Sequence, residues 1–473
     1  GRVLGRPATL DDVPDGELDE LAARGFDWVW LLSVWQTGEA GREISRSDAG
    51  LRREFEATLP DLREDDIGGS GFAITGYSVD EAIGGDAGLA RFRERLAARG
   101  LRLMLDFVPN HTALDHPWVA EHDDRYVHGT ELSLIREPSN YAWVPRRGAG
   151  DVLLAHGRDP YFPGWGDTVQ LDYSNPATGA AMTDQLLGIA QRCDGVRCDM
   201  AMLILPDVFE RTWGRPSVPF WPDAIAATRR QTPGFLFMAE VYWDLEWTML
   251  EQGFDYAYDK RLYDRLVAGD VGPVRNHLRA GLDYQDHLAR FLENHDEPRA
   301  AATLPADRHE AAAVVTYLTP GLRFFHQGQL EGHRARLSPH LVRAPAEPTD
   351  ERLAAYYSTL LEVLREPTLR DGEWRLLDCV PASNDDPTFA DYVAWCWRAS
   401  GATRWIVVVN LSDDAARCFI RLPDGELHAA TVRLEDRFSG ATYDRDGDDL
   451  VERGLYVDRP GWGFHLFEVT VDS

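Results

Sequence analysis

The chain has 473 residues, 44% of them hydrophobic and 11% aromatic, with 15 Trp and a formal net charge of −29 at pH 7. That length and apolar share allow a large core and more than one domain. So strong a negative charge argues against nucleic acid and anionic membrane surfaces as partners.

Short apolar runs alternate with helical stretches, as expected of parallel strands joined by crossover helices. A helix is predicted over 15–25 (DGELDELAARG). Strands are predicted within 26–35 (FDWVWLLSVW), 101–110 (LRLMLDFVPN), 194–201 (DGVRCDMA), 234–243 (GFLFMAEVYW), 253–259 (GFDYAYD), 288–296 (LARFLENHD) and 321–328 (GLRFFHQG), with amphipathic helices over 86–100 and 177–193. The ionisable residues cluster at the C-terminal ends of these strands, where a (β/α)8 TIM barrel keeps its active site. An eighth strand should open the barrel before residue 15, but residues 1–14 (GRVLGRPATLDDVP) do not read as one. The expectation is that either the first barrel strand is missing from the chain, the favoured reading, or the barrel closes unusually.

Two segments depart from the barrel rhythm. Residues 112–176 are too long for a loop in a compact unit and imply an inserted subdomain. After a helix over 351–366 the pattern turns to period two, which implies an antiparallel β-sandwich. The expected organisation is barrel over 1–111 and 177–370, insertion over 112–176 and sandwich over 371–473. Five cysteines, odd in number and without a CxxC pair, argue against a disulfide framework or a zinc site. No apolar run approaches the roughly 20 residues of a bilayer span, and no signal-peptide pattern opens the chain, so the expected location is the cytoplasm.

Four strand ends carry a consistent set of side chains. DFVPNH supplies Asp106, Asn110 and His111; GVRCDMA supplies Arg197 and Asp199; MAEVYW supplies Glu240; ENHD supplies His295 and Asp296. Side chains two apart on a strand share a face, about 7 Å apart, so Arg197 is expected to keep Asp199 ionised. Glu240 follows Phe235, Leu236, Phe237, Met238 and Ala239, and a carboxyl in apolar surroundings tends to hold its proton. One ionised and one protonated carboxyl are what retaining glycoside hydrolysis requires.

These four segments, in this order, resemble the four short conserved regions of the α-amylase superfamily, glycoside hydrolase family 13. QLDYSNP (170–176) resembles a fifth, near the end of that family's domain B. The resemblance spans nearly the whole chain. It implies Asp199 as nucleophile, Glu240 as acid/base and Asp296 as transition-state stabiliser, with Asp106, His111, Arg197 and His295 around the reacting sugar. GSGFAITGY (69–77) resembles the stretch that offers a tyrosine platform under that sugar, and here Phe72 takes the place of the tyrosine and Gly76 that of a common Asp. Met202 and Leu203 stand where many members have a Lys-His pair that contacts the leaving-group side, which implies that this subsite is more apolar or supplied otherwise. Asn110 and Asp172 match positions that bind a structural Ca2+ in some members; no cofactor is required by the chemistry.

The expected function is therefore a retaining α-glycosidase on α-glucans, malto-oligosaccharides or small α-glucosides. The alternatives are a transglycosylase or sugar isomerase using the same intermediate, and an inactive carbohydrate-binding or scaffold homologue. Homologues of the last kind usually lose one of the three carboxylates, and this chain keeps all three. The expected partner is a carbohydrate; no oligomeric state is implied. Trp35, Tyr126, Trp143 and Trp165 read equally as sugar platforms or as packing. DRDGDD (444–449) reads as an acidic hairpin turn and LREDD (62–66) as a solvated loop.

Overall fold

The structure, a computed structural model, describes residues 4–146, 148, 150–399, 404–422 and 427–472. It forms two compact units, Gly1–Tyr258 with Leu337–Pro345 and Asp259–Arg336 with Ala346–Ser473.

In chain order the first unit carries β1 (Trp28–Trp30), β2 (Trp35–Thr37), β3 (Ile74–Val79), β4 (Arg102–Phe107), β5 (His111–Ala113), β6 (Tyr141–Val144), β7 (Val152–Ala155), β8 (Thr168–Gln170), β9 (Gly195–Cys198), β10 (Leu236–Ala239) and β11 (Tyr256–Tyr258). β1, β4, β9, β10 and β11 run parallel, side by side in that order. Helices Asp15–Ala23, Gly85–Ala97, Pro176–Ala190 and Trp221–Gln231 alternate with them. Only Arg102 of β4 is exposed; burial on both faces is the mark of a parallel strand covered by helices. The helix before β9 starts where Pro176 fixes φ at its first position and the Asn175 side chain accepts from Ala177 N–H at 3.0 Å, which supplies a partner to an otherwise orphaned donor.

Residues 112–176 fold as small antiparallel pieces, β5 with β8 and the hairpin β6–β7, with short helices Pro117–Glu121 and Glu131–Arg136. The stretch 1–14 holds a 3-10 helix, Leu10–Asp12; its residues 1–3 lie outside the described residues. The loop 62–66 differs from the sequence expectation: Asp66 is buried and paired with Arg343 at 2.6 Å. Its partner lies 277 residues away in the chain, so local composition gave no sign of it.

The second unit has β12 (Leu288–Arg290) parallel to β13 (Leu322–Arg323), with helices Ala306–Tyr317 and Glu351–Leu364. It continues as β14 (Glu373–Leu377), β15 (Cys379–Pro381), β16 (Tyr392–Arg398), β17 (Arg404–Asn410), β18 (Ala416–Ile420), β19 (Thr431–Asp436), β20 (Thr442–Asp446), β21 (Leu455–Arg459) and β22 (Phe464–Asp472). These make a six-stranded sheet, β14-β16-β17-β22-β19-β20, and a three-stranded sheet, β15-β18-β21. β19 alternates exposed and buried residues, the period expected when one face is solvated. Ile406, Val408 and Val432 of the larger sheet share a core with Cys418, Ile420 and Val457 of the smaller; the C-terminal part is an antiparallel β-sandwich. The run 444–449 is not a hairpin turn. β20 continues through Asp446, whose side chain accepts from Asp449 N–H at 3.0 Å and starts the helix Gly447–Glu452. Among the described residues no helix is long and apolar enough to cross a membrane.

Candidate active site

Strand register assembles the first four residues. Asp106 of β4 stands directly opposite Arg197 of β9, and Arg197 opposite Met238 of β10. The ladder runs one residue beyond the strands: Asp199 N–H donates to Phe107 O at 2.8 Å and Glu240 N–H to Cys198 O at 3.0 Å. Asp106, Asp199 and Glu240 thus lie at the C-terminal ends of three adjacent strands, around Arg197.

That guanidinium is 1% exposed and serves all three carboxylates. Its Nη1 contacts Asp199 Oδ1 at 2.8 Å and Asp106 Oδ1 at 3.4 Å, and its Nη2 contacts Glu240 Oε2 at 2.6 Å. Nε donates to Tyr258 Oη at 3.3 Å. The rings of Phe72, Trp30 and Tyr258 lie 5.2, 5.4 and 5.9 Å from its Cζ, within cation–π range. Phe72 therefore sits beside the cluster.

One cation cannot compensate three buried anions, and the protonation states follow. Burial pushes the Asp106 carboxyl up to about 6, against the opposing pull of Arg197 and of the Ser33 N–H, which donates to its Oδ2 at 2.9 Å. Burial also raises Glu240, with the Asp199 charge adding to it; Arg197, the Met200 N–H and the Tyr242 hydroxyl pull the other way. The sequence reading gave Glu240 no cation; the structure corrects it, because β9 and β10 are neighbours and Arg197 reaches across. The raised pKa survives the correction, since desolvation outweighs the ion pair.

His111 is 3% exposed and begins β5. Burial lowers its pKa to about 4, against a hydrogen bond to the Phe72 carbonyl, so the ring is neutral at pH 7. The Trp165 ring lies 5.2 Å from it. A Cβ on Gly157 would come within 2.8 Å of both His111 Cβ and Thr168 Oγ1, so this close approach requires glycine. Of the other aromatic candidates, Trp35 and Tyr126 are 1% exposed and act in packing, whereas Trp143 is 52% exposed.

The ENHD segment, in the second unit, divides its labour. Glu293 is fully buried and accepts from Arg299 Nη1 at 2.5 Å and Ala300 N–H at 2.8 Å, with His326 Nδ1 at 3.3 Å. Burial would raise its pKa, but His326 and Arg299 lower it on balance. Asn294 Oδ1 accepts from the N–H groups of Asp296 (2.9 Å) and Glu297 (2.8 Å), which closes a tight turn. His295 Nε2 lies 3.2 Å from Asp296 Oδ2, and the Asp296 side chain is 42% exposed. Glu293 is thus an anchor that sequence reasoning passed over, as it did Tyr242, whose hydroxyl donates to Glu240 Oε1 at 2.9 Å. The i, i+2 spacing of Glu240 and Tyr242 was the available signal.

Residues 18–246 match the Alpha-amylase family, described as "Alpha amylase, catalytic domain". That matched region is similar to the catalytic domain of the α-amylase superfamily. The chain is 23% identical over 451 residues to Alpha-amylase MalA of Haloarcula japonica, covering 94% of this chain and 58% of that protein. It is 21% identical over 310 residues to Alpha-amylase 3 of Dictyoglomus thermophilum, covering 60% of this chain and 58% of that protein. The chain thus spans a little under three fifths of the length of each. The crystal structure of a noncanonic maltogenic alpha-amylase AmyB from Thermotoga neapolitana superposes with a TM-score of 0.69 at 19% identity, over 96% of this chain and 93% of that one. The fold class is accordingly the α-amylase-type (β/α) barrel with a C-terminal antiparallel β domain.

Two sets of residues singled out by the resemblance are placed by the structure. Met202 and Leu203 are 0% and 3% exposed within the 3-10 helix Ala201–Ile204, so they belong to the core rather than lining a leaving-group surface. The possible calcium ligands, Asn110 and Asp172, already have side-chain partners. Asn110 Oδ1 accepts from Gln170 Nε2 at 3.0 Å, and the Asp172 carboxylate is held by Ser174 Oγ at 2.6 Å and Arg215 Nη1 at 2.7 Å. Among the described residues no group of three or more His, Cys, Asp or Glu is placed to hold a metal. With a guanidinium on the carboxylate and an amide N–H on the side-chain oxygen, these residues do not fit Ca2+.

Proposed function

We propose that the chain is a retaining α-glycosidase acting on an α-glucan, a malto-oligosaccharide or a small α-glucoside. The observation that carries the reading is the single buried guanidinium of Arg197 joining Asp199 and Glu240 at neighbouring strand ends, with Glu240 held toward its protonated form. Asp199 attacks the anomeric carbon and forms a β-glycosyl-enzyme. Glu240 protonates the departing oxygen, then takes a proton from the water that releases the sugar. Arg197 holds the attacking carboxylate in place. His111, neutral at pH 7, has one ring nitrogen to donate and one to accept, which suits sugar hydroxyls. The resemblance of ENHD to the family's fourth conserved region supports Asp296 as the group that stabilises the developing charge, with His295 beside it.

The test is incubation with maltose, maltotriose, isomaltose, sucrose, trehalose and p-nitrophenyl α-glucoside, with products separated by chromatography. Wild-type turnover of at least one is expected. Asp199→Asn, Glu240→Gln and Asp296→Asn should each lower it by roughly 10²-fold or more. Free sugar as the only new product indicates water as acceptor, whereas longer or isomerised sugars indicate transfer. Full activity in Asp199→Asn would refute the assignment.

A further inference from the structure

Lys260 is the only lysine of the chain, against 48 arginines. Its place is unfavourable on local grounds, since it opens the helix Lys260–Ala268 and a cation in a first turn opposes the helix dipole. What it meets in space accounts for it. Asp259 N–H donates to Ala289 O at 3.0 Å, so the chain enters this helix beside β12, which leads into the ENHD turn. The buried Asp259 side chain caps the helix by accepting from Leu262 N–H at 3.1 Å, and is itself held by Arg290 and by His277 Nε2 at 2.9 Å. From this fixed base Lys260 Nζ lies 3.3 Å from Glu297 Oε1, pairs with Asp264, and sits 5.0 Å from the Tyr263 ring centroid. The side chains of Lys260 and Glu297 are only 22% and 17% exposed, so the pair is largely shielded from water. The Tyr263 hydroxyl also donates to the Glu297 carboxylate, and its ring stacks on Phe291 with centroids 5.7 Å apart. Two carboxylates and a ring face converging on one nitrogen suit a compact ammonium with three donors, not the flat fork of a guanidinium.

We infer that Lys260 is a positioning residue for Asp296, acting through Glu297. The inference rests on the glycosidase reading above, in which Asp296 stabilises the charge developing on the sugar. Asp296 and Glu297 are consecutive in a turn that Asn294 Oδ1 closes by accepting from both N–H groups. Before Asp296 the chain is tied down by Glu293 on Arg299; after it, by Glu297 on Lys260. With both flanks held, the carboxylate between them keeps one place. Lys260 also compensates the Glu297 charge, which would otherwise repel that of its neighbour Asp296. Without the ammonium, Glu297 turns toward water to regain its solvation, and the turn shifts with it. Stabilisation of the developing charge counts only in the transition state, so such a shift lowers turnover and leaves substrate binding in place.

The experiment uses the best substrate of the panel above, at a temperature where thermal melts show every variant folded. Asp296→Asn measures the loss when the stabiliser itself is gone. Lys260→Met keeps an unbranched side chain of similar length without its charge, and should lower kcat roughly tenfold or more with KM within about twofold of wild type. Adding Glu297→Gln to Lys260→Met removes the stranded anion and should bring kcat back to within about threefold of wild type. A wild-type kcat in Lys260→Met, a loss carried by KM alone, or a fall in kcat that Glu297→Gln does not recover would each overturn the positioning role while leaving the glycosidase reading intact. Full activity in Asp296→Asn, or no wild-type turnover of any compound in the panel, overturns the underlying reading, and the role of Lys260 with it.

Discussion

The backbone N–H of Met200 donates to Glu240 Oε2 at 2.7 Å. Met200 directly follows Asp199 and has φ of 40°, so the turn after the proposed nucleophile is bent into the left-handed region as it delivers this donor. The two carboxylates are therefore coupled twice, through Arg197 and through the backbone.

Tyr242 adds a third donor to Glu240 and so favours its ionised form. Tyr242→Phe should raise the Glu240 pKa further. The alkaline limb of the kcat/KM profile, which reports loss of the acid's proton, then moves to higher pH by about one unit, the equivalent of one hydrogen bond to a charged group. A pH–rate profile checks this; an unmoved or lowered limb contradicts the assignment of Glu240 as acid.

His111 and Asp106 should oppose each other in the pH dependence of stability. The folded pKa of His111 is depressed from 6.5 to about 4. Its contribution is full above pH 6.5 and is lost as pH falls through 4, roughly 3 kcal/mol in all. Asp106 is raised from 3.8 to about 6, so its contribution is full below 3.8 and is lost as pH rises through 6. Urea unfolding at pH 4.5 and 7 should show His111→Gln less acid-sensitive than the wild type and Asp106→Asn more so. The reverse order would mean that burial does not control these groups.

Glu293 depends on Arg299 for its buried charge, the two side chains being 1% and 7% exposed. Arg299→Leu should cost about 3–5 kcal/mol by leaving an uncompensated carboxylate. Adding Glu293→Gln should recover part of that loss. A double-mutant cycle by denaturant unfolding measures the coupling, and additive losses would show that the pair does not interact.

Arg215 occupies the carboxylate that the family resemblance offered to Ca2+. Excess EDTA or added Ca2+ should leave the wild-type Tm unchanged. Arg215→Ala, which frees Asp172, should lower it, by a degree or two for about 1 kcal/mol in a chain of this size. A wild-type Tm that falls with EDTA and recovers with Ca2+ would mean that Arg215 does not keep the ion from Asp172.

The sequence by itself determined the parallel strands and their helices, because apolar runs of strand length bounded by turns and amphipathic stretches are local signals. It also determined which residue types end those strands: Asp106, Arg197, Asp199 and Glu240 were legible as strand-end chemistry, whereas His295 and Asp296, read within a strand over 288–296, lie in the turn beyond β12, which stops at Arg290. Tertiary structure alone decided how they are wired. That Arg197 is shared among three carboxylates depends on β4, β9 and β10 being neighbours in one register. That Asp66 pairs with Arg343, and that Arg215 covers Asp172, depends on residues 277 and 43 positions apart meeting in space. Local composition cannot carry such information, because the electrostatic environment of a buried group is set by whatever the fold brings within a few ångströms, and chain neighbours are only part of it.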